Sequence, residues 1–462
     1  MAPLGKAGTA LAALRVDLTG DVFAPDDSGY DDARTIFNAM IDKRPAVIAR
    51  CTSEADVARS VRFARELDLQ IAVCGGGHSV SGMSLNDGGL VIDLRRMRTV
   101  TVHPGSETVR VEGGAVMSDL DRATLPYDLA TTGGRVSTTG VGGFVLGGGN
   151  GWLDRSFGLA ADNLLGVELV TADGTTVRAT DHENAELFWA LHGGGGNFGV
   201  ATALTLKLHP LPEFSIAMLM SQPDAGPDLV RVYREVIENG PSEVSGAIMY
   251  TTGPPEEFVP EHMVGKLLCT VLLTYVGGEE DLRKLAQPLL ALPHEVEMLT
   301  AMPYPDLQCM LDDPPGLRNY WSAEFLTGLP DDLVDVFCAL GDSVPVPTGT
   351  KHVLLPQGGA IASGPARFPV PYRDAPWGVH PFGIWEDPAD DERCIQWVRD
   401  VRAGVRPWTT GAVYLNFIGN EGTDRVVAGL GAGNLRRLAA VKAEYDPDNV
   451  FRFNHNILPV PS

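Results

Sequence analysis

The spacing of hydrophobic positions in the first part of the chain predicts a helix followed by short strands. The helix begins at the polar sequence 53–56, and apolar residues follow at helical spacing, namely Val57, Val61, Ala64 and Leu67. Three short apolar runs then predict strands, at Gln70–Val73, Leu90–Leu94 and Thr108–Glu112. A glycine-rich loop separates the first two of these strands.

The pattern changes near residue 211. Before it, Val167–Ala172 and Thr175–Ala179 flank Asp173-Gly174, which predicts a hairpin closed by a type I′ turn, and a helix at Glu183–Leu191 precedes a strand at Val200–Leu208. After it, glycines become rarer, and apolar stretches alternate with amphipathic segments. The main ones are Asp228–Glu238, Leu267–Tyr275, Glu280–Leu290, Asp331–Leu340, Asp387–Arg402 and Leu435–Ala443. A second α+β domain is therefore expected.

Composition narrows the class of protein. A chain of 462 residues favours two domains, and a net charge of −23, from 59 acidic and 36 basic residues, argues against nucleic-acid binding. No apolar run approaches the roughly 18 residues of a membrane span, and residues 1–15 do not resemble a secretory signal. Six scattered cysteines without a Cys-x-x-Cys pair favour a reducing cytoplasm, and the histidines show no metal-binding spacing. We expect a cytoplasmic protein without metal, membrane or nucleic-acid partners.

Three glycine tracts carry the candidate chemistry. The first, 74–79, reads Cys-Gly-Gly-Gly-His-Ser and directly follows a predicted strand, so its backbone amides can approach an anionic ligand closely. The second extends from Gly133 to Gly151. The third, 193–199, contains Gly-x-Gly-x-x-Gly, but it lies between a helix and a following strand, the reverse of a dinucleotide-binding Rossmann motif. We therefore reject a nicotinamide Rossmann site.

The tracts and the C-terminal ending together resemble a known family. The segments are Ala72–Ser81, Gly133–Asp162, Gly193–Pro210 and the ending Lys442-x-x-Tyr445-Asp446-Pro447-x-Asn449-x-Phe451-x-x-Asn454-x-Asn456-Ile457. In order and spacing they resemble the FAD-linked oxidases related to the berberine bridge enzyme, within the vanillyl-alcohol-oxidase/PCMH flavoprotein fold. The resemblance implies a two-domain α+β protein, with residues 1–210 and 415–462 binding FAD. Residues 211–414 would form a substrate domain built on an antiparallel sheet.

The resemblance also implies how FAD is held. His78 occupies the position of the family's histidine that is joined to the 8α-methyl carbon of FAD. Many members add a cysteine in a Cys-Pro-Ser/Thr-x-Gly stretch, but this chain has Val136 there, so a single covalent bond is expected. Cys74 is expected to be a buried small residue. Positions that carry over as flavin contacts are Gly75, Gly76, Gly77, Ser79, Ser137, Gly140, Gly142, Gly148, Val200, Asn454 and Asn456.

Catalytic residues are implied less directly. Tyr414 and Asn416 match the family's Tyr-x-Asn, whose tyrosine often serves as a base, with a structural tyrosine in a strand as the alternative. The chain has Asn150, followed by Trp152, where an aromatic is common, and Gln357 where some relatives have a glutamate. Glu324 could replace that glutamate if alternation with Tyr320 and Ser322 points it inward, or it could be a solvated charge.

The leading interpretation is an FAD-dependent oxidase. It would take hydride from a small or medium organic molecule, such as an alcohol, a sugar or an aromatic metabolite, and pass the electrons to O2. A dehydrogenase with another acceptor and a non-catalytic flavin-binding protein remain alternatives. A nicotinamide-consuming reductase of the same fold is disfavoured, because those enzymes lack the Gly-Gly-His-Ser tether. The oligomeric state is not predicted.

Overall fold

The computed structural model describes residues 3–460, which form helices around three main sheets. The α-helices are α1 (Pro3–Asp17), α2 (Tyr30–Ala33), α3 (Glu54–Glu66), α4 (Met117–Thr124), α5 (Val141–Leu146), α6 (Asp154–Phe157), α7 (Ala185–Ala190), α8 (Gly226–Asn239), α9 (Glu279–Leu290), α10 (Tyr304–Met310), α11 (Asp331–Gly341), α12 (Asp391–Val405), α13 (Thr423–Leu430) and α14 (Leu435–Tyr445). None of those in the described residues has the length and apolar composition needed to cross a bilayer.

The strands follow the same chain order. They are β1 (Asp21–Phe23), β2 (Val47–Arg50), β3 (Ile71–Cys74), β4 (Leu90–Asp93), β5 (Val100–His103), β6 (Thr108–Glu112), β7 (Leu129–Ala130), β8 (Leu164–Val170), β9 (Thr176–Ala179), β10 (Val200–Lys207), β11 (His209–Pro210), β12 (Ser215–Ser221), β13 (Val244–Thr252), β14 (Leu267–Tyr275), β15 (Val296–Ala301), β16 (Arg318–Trp321), β17 (Glu324–Leu326), β18 (Lys351–Pro356) and β19 (Trp377–Trp385).

The first two sheets occupy the glycine-rich part of the chain. The first sheet has the order β1-β2-β4-β3, with β2 and β3 parallel to β4. The second is antiparallel, in the order β5-β6-β10-β8-β9. The predicted helix at 53–67 is confirmed as α3, where the Ser53 side chain accepts a hydrogen bond from the Asp56 N–H. The third glycine tract precedes β10 and not an α-helix, which agrees with the rejection of a Rossmann site.

The hairpin between β8 and β9 forms, but its predicted turn type is wrong. A type I′ turn needs positive φ at both central residues. Here only Gly174 has a positive φ, of 79°, and its N–H bonds to the Thr171 carbonyl. Asp173 instead uses its carboxylate to accept hydrogen bonds from Thr171 and Thr175. This side-chain bonding favours a three-residue loop that ends in a left-handed glycine.

The third sheet forms the second half of the molecule. It is antiparallel, in the order β15-β12-β14-β13-β18-β19-β16, and β17 also pairs with β19. One face packs on α8, α9, α11 and α12 through buried residues such as Tyr233, Phe337 and Trp397. The opposite face is turned toward the glycine tracts. All its strands lie between residues 215 and 385, within the range expected for the substrate domain, whose exact limits stay a prediction.

The C-terminal motif returns to the glycine-rich half. The Lys442 ammonium, fully buried on α14, donates to the Asp446 carboxylate at 2.6 Å and to the carbonyls of Asn197 and Phe451. The Asp446 carboxylate also accepts from the Val450 and Phe451 N–H groups. A buried charge needs such a complete set of partners. The pair therefore fixes the tail against the third glycine tract.

Candidate active site

A cavity of about 650 Å³ lies between the glycine tracts, the C-terminal tail and the third sheet. All three tracts contribute to its wall, as do Phe451, Phe453, Asn454 and His455 from the tail. The opposite wall consists of side chains from β13, β16, β18 and β19. Of the predicted flavin contacts and catalytic residues, eleven line the cavity: Gly75, Gly76, Gly77, His78, Ser79, Gly140, Gly142, Asn150, Trp152, Tyr414 and Asn454.

The first and second glycine tracts touch through their backbones. A Cβ atom on Gly76 would lie 2.5 Å from the backbone N and Cα of Gly140, and one on Gly140 would lie 2.5 Å from the Gly76 N. A Cβ on Gly142 would lie 3.0 Å from the Gly113 carbonyl oxygen. The two tracts therefore need glycine so that their amides can form one continuous wall of the cavity.

Replacing Gly76 with alanine is expected to destabilise the protein by about 1 to 3 kcal/mol, because the new methyl group overlaps rigid backbone. The displaced tract should also reduce the amount of FAD that copurifies. Thermal unfolding and the flavin-to-protein absorbance ratio measure both effects. Gly105→Ala is the matched control, since nothing lies within 4 Å of its added Cβ. Equal stability and flavin content in the two variants would contradict this packing argument.

His78 is half-buried at the cavity wall with its ring oriented by two neighbours. Its Nε2 lies 3.0 Å from the Thr138 hydroxyl of the second tract, and its ring stacks on Phe37 with centroids 4.2 Å apart. Burial lowers the pKa of His78 to about 4, against a small opposing effect of the Asp313 carboxylate. The imidazole is therefore neutral at pH 7, which is the nucleophilic form.

Val136 and Cys74 are the two positions that bear on a second covalent bond to the flavin. Val136 lines the cavity beside Thr138, so an aliphatic side chain stands where a thiol would be needed. The Cys74 side chain is fully buried behind the first tract, and burial raises its thiol pKa to about 12. A thiol in this state is not a nucleophile at neutral pH. The placement agrees with the view of Cys74 as a packing residue.

Four predicted flavin contacts lie outside the cavity wall. Ser137 turns away, and its backbone N–H and hydroxyl both donate to the Asp312 carboxylate. Val200 is buried in the core under the first sheet. Gly148 adjoins the Tyr372 hydroxyl, and the buried Asn456 Oδ1 has no hydrogen-bond partner within the described residues. For Ser137 and Val200, the direction of the side chain, which the sequence motif does not encode, separates them from the contacts at the cavity wall.

The residues present fit FAD. Gly195 and Gly196 line the cavity and would have open space beyond an added Cβ, as a cradle for a bulky ligand requires. The buried Oδ1 of Asn454, also at the wall, has no partner among residues 3–460, while its Nδ2 donates to the Phe451 carbonyl. No group of three metal-binding side chains occurs in that range. Backbone amides and an unpaired amide oxygen are suited to a dinucleotide with polar edges.

Tyr414 is fully buried, and three donors converge on its hydroxyl oxygen. These are the N–H groups of Gly149 (3.0 Å) and Asn150 (3.2 Å) and the Asn416 Nδ2 (2.9 Å). Burial raises the pKa of Tyr414 to about 12, although these donors and the Arg135 charge oppose the rise. The phenol therefore keeps its proton at neutral pH in the free protein. Its oxygen sits in a pocket built to stabilise negative charge.

Asn150 and Gln357 form one polar unit behind Tyr414. The Asn150 Nδ2 donates to the Gln357 Oε1 at 3.0 Å, and the Asn150 Oδ1 accepts from Arg135 at 2.8 Å. Asn150 lines the cavity, whereas Gln357 is buried behind it. Gln357 thus orients Asn150 and is not itself placed to contact a ligand, which corrects the expectation that it acts directly.

Glu324 and Tyr320 do not belong to the site. On β16 it is Asn319 and Trp321 that line the cavity, while Tyr320 packs toward the helices behind the sheet, under the Arg399 guanidinium. The Glu324 carboxylate bonds Arg402 at 3.0 Å and Arg425 at 3.0 Å. Tyr320 and Glu324 share a face, as predicted, but that face is turned away from the cavity. The guanidinium groups of Arg402 and Arg425 neutralise the Glu324 carboxylate. The expectation of Glu324 as a base is therefore corrected.

Several cavity residues escaped the sequence reading. Arg135 is buried beside Trp152, with its guanidinium carbon 5.2 Å from the ring centroid, and burial lowers its pKa. His455 also lines the cavity and contacts the Leu415 carbonyl through Nε2 at 2.9 Å. The only sequence feature that marks His455 as a cavity residue is its position directly after Asn454 in the tail motif. Arg135 lies within the second glycine tract, where no charged residue was considered.

Comparison with known proteins agrees with this geometry. Residues 45–180 match the family described as FAD binding domain, and residues 413–458 match the family described as berberine and berberine like. The chain is 33% identical to (R)-6-hydroxynicotine oxidase of Paenarthrobacter nicotinovorans, over 96% of this chain and 98% of the relative.

Solved structures show the same fold over nearly the whole length. 6-Hydroxy-D-nicotine oxidase from Arthrobacter nicotinovorans superposes with a TM-score of 0.85 at 29% identity, over 95% of this chain and 98% of that chain. Berberine bridge enzyme from Eschscholzia californica gives 0.85 at 21% identity, over 99% of each chain, and so supports the fold alone. The chain therefore belongs to the berberine bridge enzyme-like FAD-linked oxidases, with the PCMH-type α+β fold.

Proposed function

We propose that this enzyme holds FAD through one covalent bond, to His78, and oxidises a flat aromatic or heteroaromatic alcohol or amine with O2 as the electron acceptor. One observation carries the proposal: the same cavity contains His78 at the glycine tracts and the Tyr414 oxygen in its pocket of three donors. A candidate attachment point and a group that can exchange protons thus line the same cavity.

The flavin, when bound, supplies a hydride acceptor at N5 and an exit for electrons to O2. The protein supplies the rest. The amides of the glycine tracts and Asn454 would hold the dinucleotide, and Thr138 and Phe37 orient the His78 ring. The deprotonated fraction of Tyr414 would take a proton from the substrate hydroxyl or amine, since three N–H donors stabilise the oxygen of its phenolate form.

The cavity wall formed by the third sheet supports an aromatic substrate. It presents Met249, Trp321, Val353, Leu355 and Phe382, and Trp152 and Phe417 adjoin it. The cation that the described residues place on this wall, Lys351, is paired with Asp313 at 2.7 Å. Sugar hydroxyls pressed against this surface would lose their hydrogen bonds to water, whereas a planar ring would gain stacking contacts. The name of the nicotine-oxidising relative points the same way.

Anaerobic mixing with candidate substrates tests the proposal. The probes are the two enantiomers of 6-hydroxynicotine, 4-hydroxybenzyl alcohol and glucose. At least one aromatic compound should bleach the flavin while glucose does not, and air should restore the colour with stoichiometric hydrogen peroxide. Reduction by glucose alone would contradict the substrate class. A reduced flavin that stays colourless in air would contradict O2 as the acceptor.

A further inference from the structure

Arg135 is a nearly buried cation in the wall of the cavity. Its side chain is 13% exposed, and its guanidinium packs over the Trp152 ring. Burial lowers the pKa of Arg135, but a guanidinium keeps its proton at neutral pH. The second glycine tract thus places a permanent positive charge at the cavity.

The guanidinium donates to three oxygens of the segment that carries two of the Tyr414 donors. Its Nη1 donates to the Asn150 carbonyl at 3.0 Å and to the Asn150 Oδ1 at 2.8 Å, and its Nη2 donates to the Gly151 carbonyl at 3.2 Å. The N–H of Asn150 in turn donates to the Tyr414 oxygen at 3.2 Å. One residue, Asn150, therefore connects Arg135 to that oxygen.

This segment depends on such outside contacts for its conformation. Gly148 and Gly149, directly before Asn150, have positive φ values of 117° and 81°. Glycine is conformationally permissive, so their own backbone restrains the segment little. Arg135 holds Asn150 through two of its oxygens, and Gln357 holds its Nδ2 at 3.0 Å. These contacts fix the direction in which the Asn150 N–H points.

The charge of Arg135 also acts on Tyr414. Burial raises the pKa of Tyr414 to about 12, and the Arg135 charge acts in the opposite direction. The Asp154 Oδ2 lies 3.8 Å from the Arg135 Nη2, beyond hydrogen-bond distance, so it compensates the charge only in part. Burial raises the pKa of Asp154 to about 6, which leaves it largely ionised at pH 7. Burial also raises the pKa of the neighbouring Tyr372 well above its usual value, so that phenol is neutral.

We propose that Arg135 is a positioning residue for Tyr414, which holds the Asn150 N–H against the Tyr414 oxygen and favours the negative form of that oxygen through its charge. The inference rests on the proposed function, because it names the group that makes Tyr414 effective as the base. Arg135 itself exchanges no proton with the substrate. It acts through Asn150 and through the electric field at the phenol.

Ionisation of residue 414 measures this influence without any substrate. 3,5-Difluorotyrosine in place of Tyr414 gives a single fluorine NMR signal, and its phenol is more acidic than that of tyrosine, so it titrates at a lower pH. In Arg135→Gln the midpoint should rise by about one pH unit, as expected for the loss of a neighbouring charge. In Arg135→Lys, which keeps the charge but not the planar fork, the rise should be about half as large or less.

Arg155→Gln is the matched control. The Arg155 guanidinium is also buried, donates to the carbonyls of Val244 and Gln357, and does not line the cavity as the described residues define it. This variant should leave the midpoint unchanged. An unchanged midpoint in Arg135→Gln, or an equal rise in Arg155→Gln, would overturn the proposal. Should Arg135→Gln fail to fold, Arg135→Met, which can pack an uncharged chain against Trp152, carries the same prediction.

Flavin reduction then separates a positioning role from a purely structural one. With the aromatic probe that bleaches the wild-type flavin fastest, Arg135→Gln should lower the limiting rate constant about tenfold while flavin content stays normal. In Tyr414→Phe the same change should cost less than about twofold, because the group through which Arg135 acts is already absent. Equal losses in both backgrounds would contradict action through Tyr414. A wild-type enzyme that oxidises no aromatic compound contradicts the proposed function alone, since the fluorine titration needs no turnover.

Discussion

Replacing Tyr414 with phenylalanine is expected to slow flavin reduction by the substrate by about 10²- to 10⁴-fold, the usual contribution of a positioned base. The change removes the oxygen on which the Gly149, Asn150 and Asn416 donors converge, while the ring keeps its packing. Flavin content should remain normal, since Tyr414 is not an attachment residue. Anaerobic stopped-flow measurement of flavin bleaching gives the rate constant.

The raised pKa of Tyr414 also predicts in which direction the rate of flavin reduction changes with pH. Because the pKa of Tyr414 is raised to about 12, the deprotonated form is a small fraction at neutral pH. That fraction grows about tenfold per pH unit below the pKa. The rate of reduction in the wild type should therefore rise with pH through the neutral and mildly alkaline range, and Tyr414→Phe should flatten the profile.

Tyr372 offers a matched control for both measurements. Its ring centroid lies 5.5 Å from that of Tyr414, and its buried hydroxyl has no hydrogen-bond partner within residues 3–460. It does not line the cavity, as far as the described residues define it. Tyr372→Phe should reduce at the wild-type rate with the wild-type pH profile. Near-normal reduction in Tyr414→Phe, or an equal loss in Tyr372→Phe, would remove Tyr414 from the role of base.

Replacing His78 with alanine is expected to abolish covalent attachment completely. The imidazole is the one nucleophile that the cavity places beside Thr138 and Phe37, and the neutral ring needs no deprotonation at pH 7. Acid precipitation of the variant should leave a colourless pellet and free FAD in the supernatant. The wild-type pellet should stay yellow and fluoresce as a flavopeptide.

His455 provides the control, because it is the other histidine at the cavity wall of the described chain. Its Nε2 contacts the Leu415 carbonyl, which holds the ring to the tail. His455→Ala should keep the flavin covalently bound. A yellow pellet from His78→Ala together with a colourless one from His455→Ala would move the attachment to the tail.

The glycine tracts and the tail motif made the fold and the cofactor end of the site predictable from the sequence. Close backbone contact, as between Gly76 and Gly140, excludes every side chain, so the requirement appears directly as glycine. The buried pair of Lys442 and Asp446 likewise needs both partners, and both are in the motif. Such local demands fix residue identity and can be recognised without a structure.

The substrate end was less predictable, because it depends on which face of each strand is turned inward. Alternation along 319–324 was evident, but only the assembled sheet shows that Trp321 faces the cavity and Glu324 faces two arginines. Phe382 and Phe417 had no sequence signal, since they come together at the cavity wall only through strand pairing and domain packing. The place of Arg135 in the site is likewise visible only in the folded structure, where its guanidinium donates to the Asn150 side chain at the other end of the second tract.

Mass mapping of peptides from the untreated wild-type protein tests the central claim most directly. The peptide that contains both Cys74 and His78 should carry the mass of one flavin adduct, and fragmentation should place it on His78. The peptide that contains Val136 should be unmodified. Flavin on any other residue, or wild-type peptides that are all unmodified while acid releases the flavin, would contradict a single covalent bond through His78.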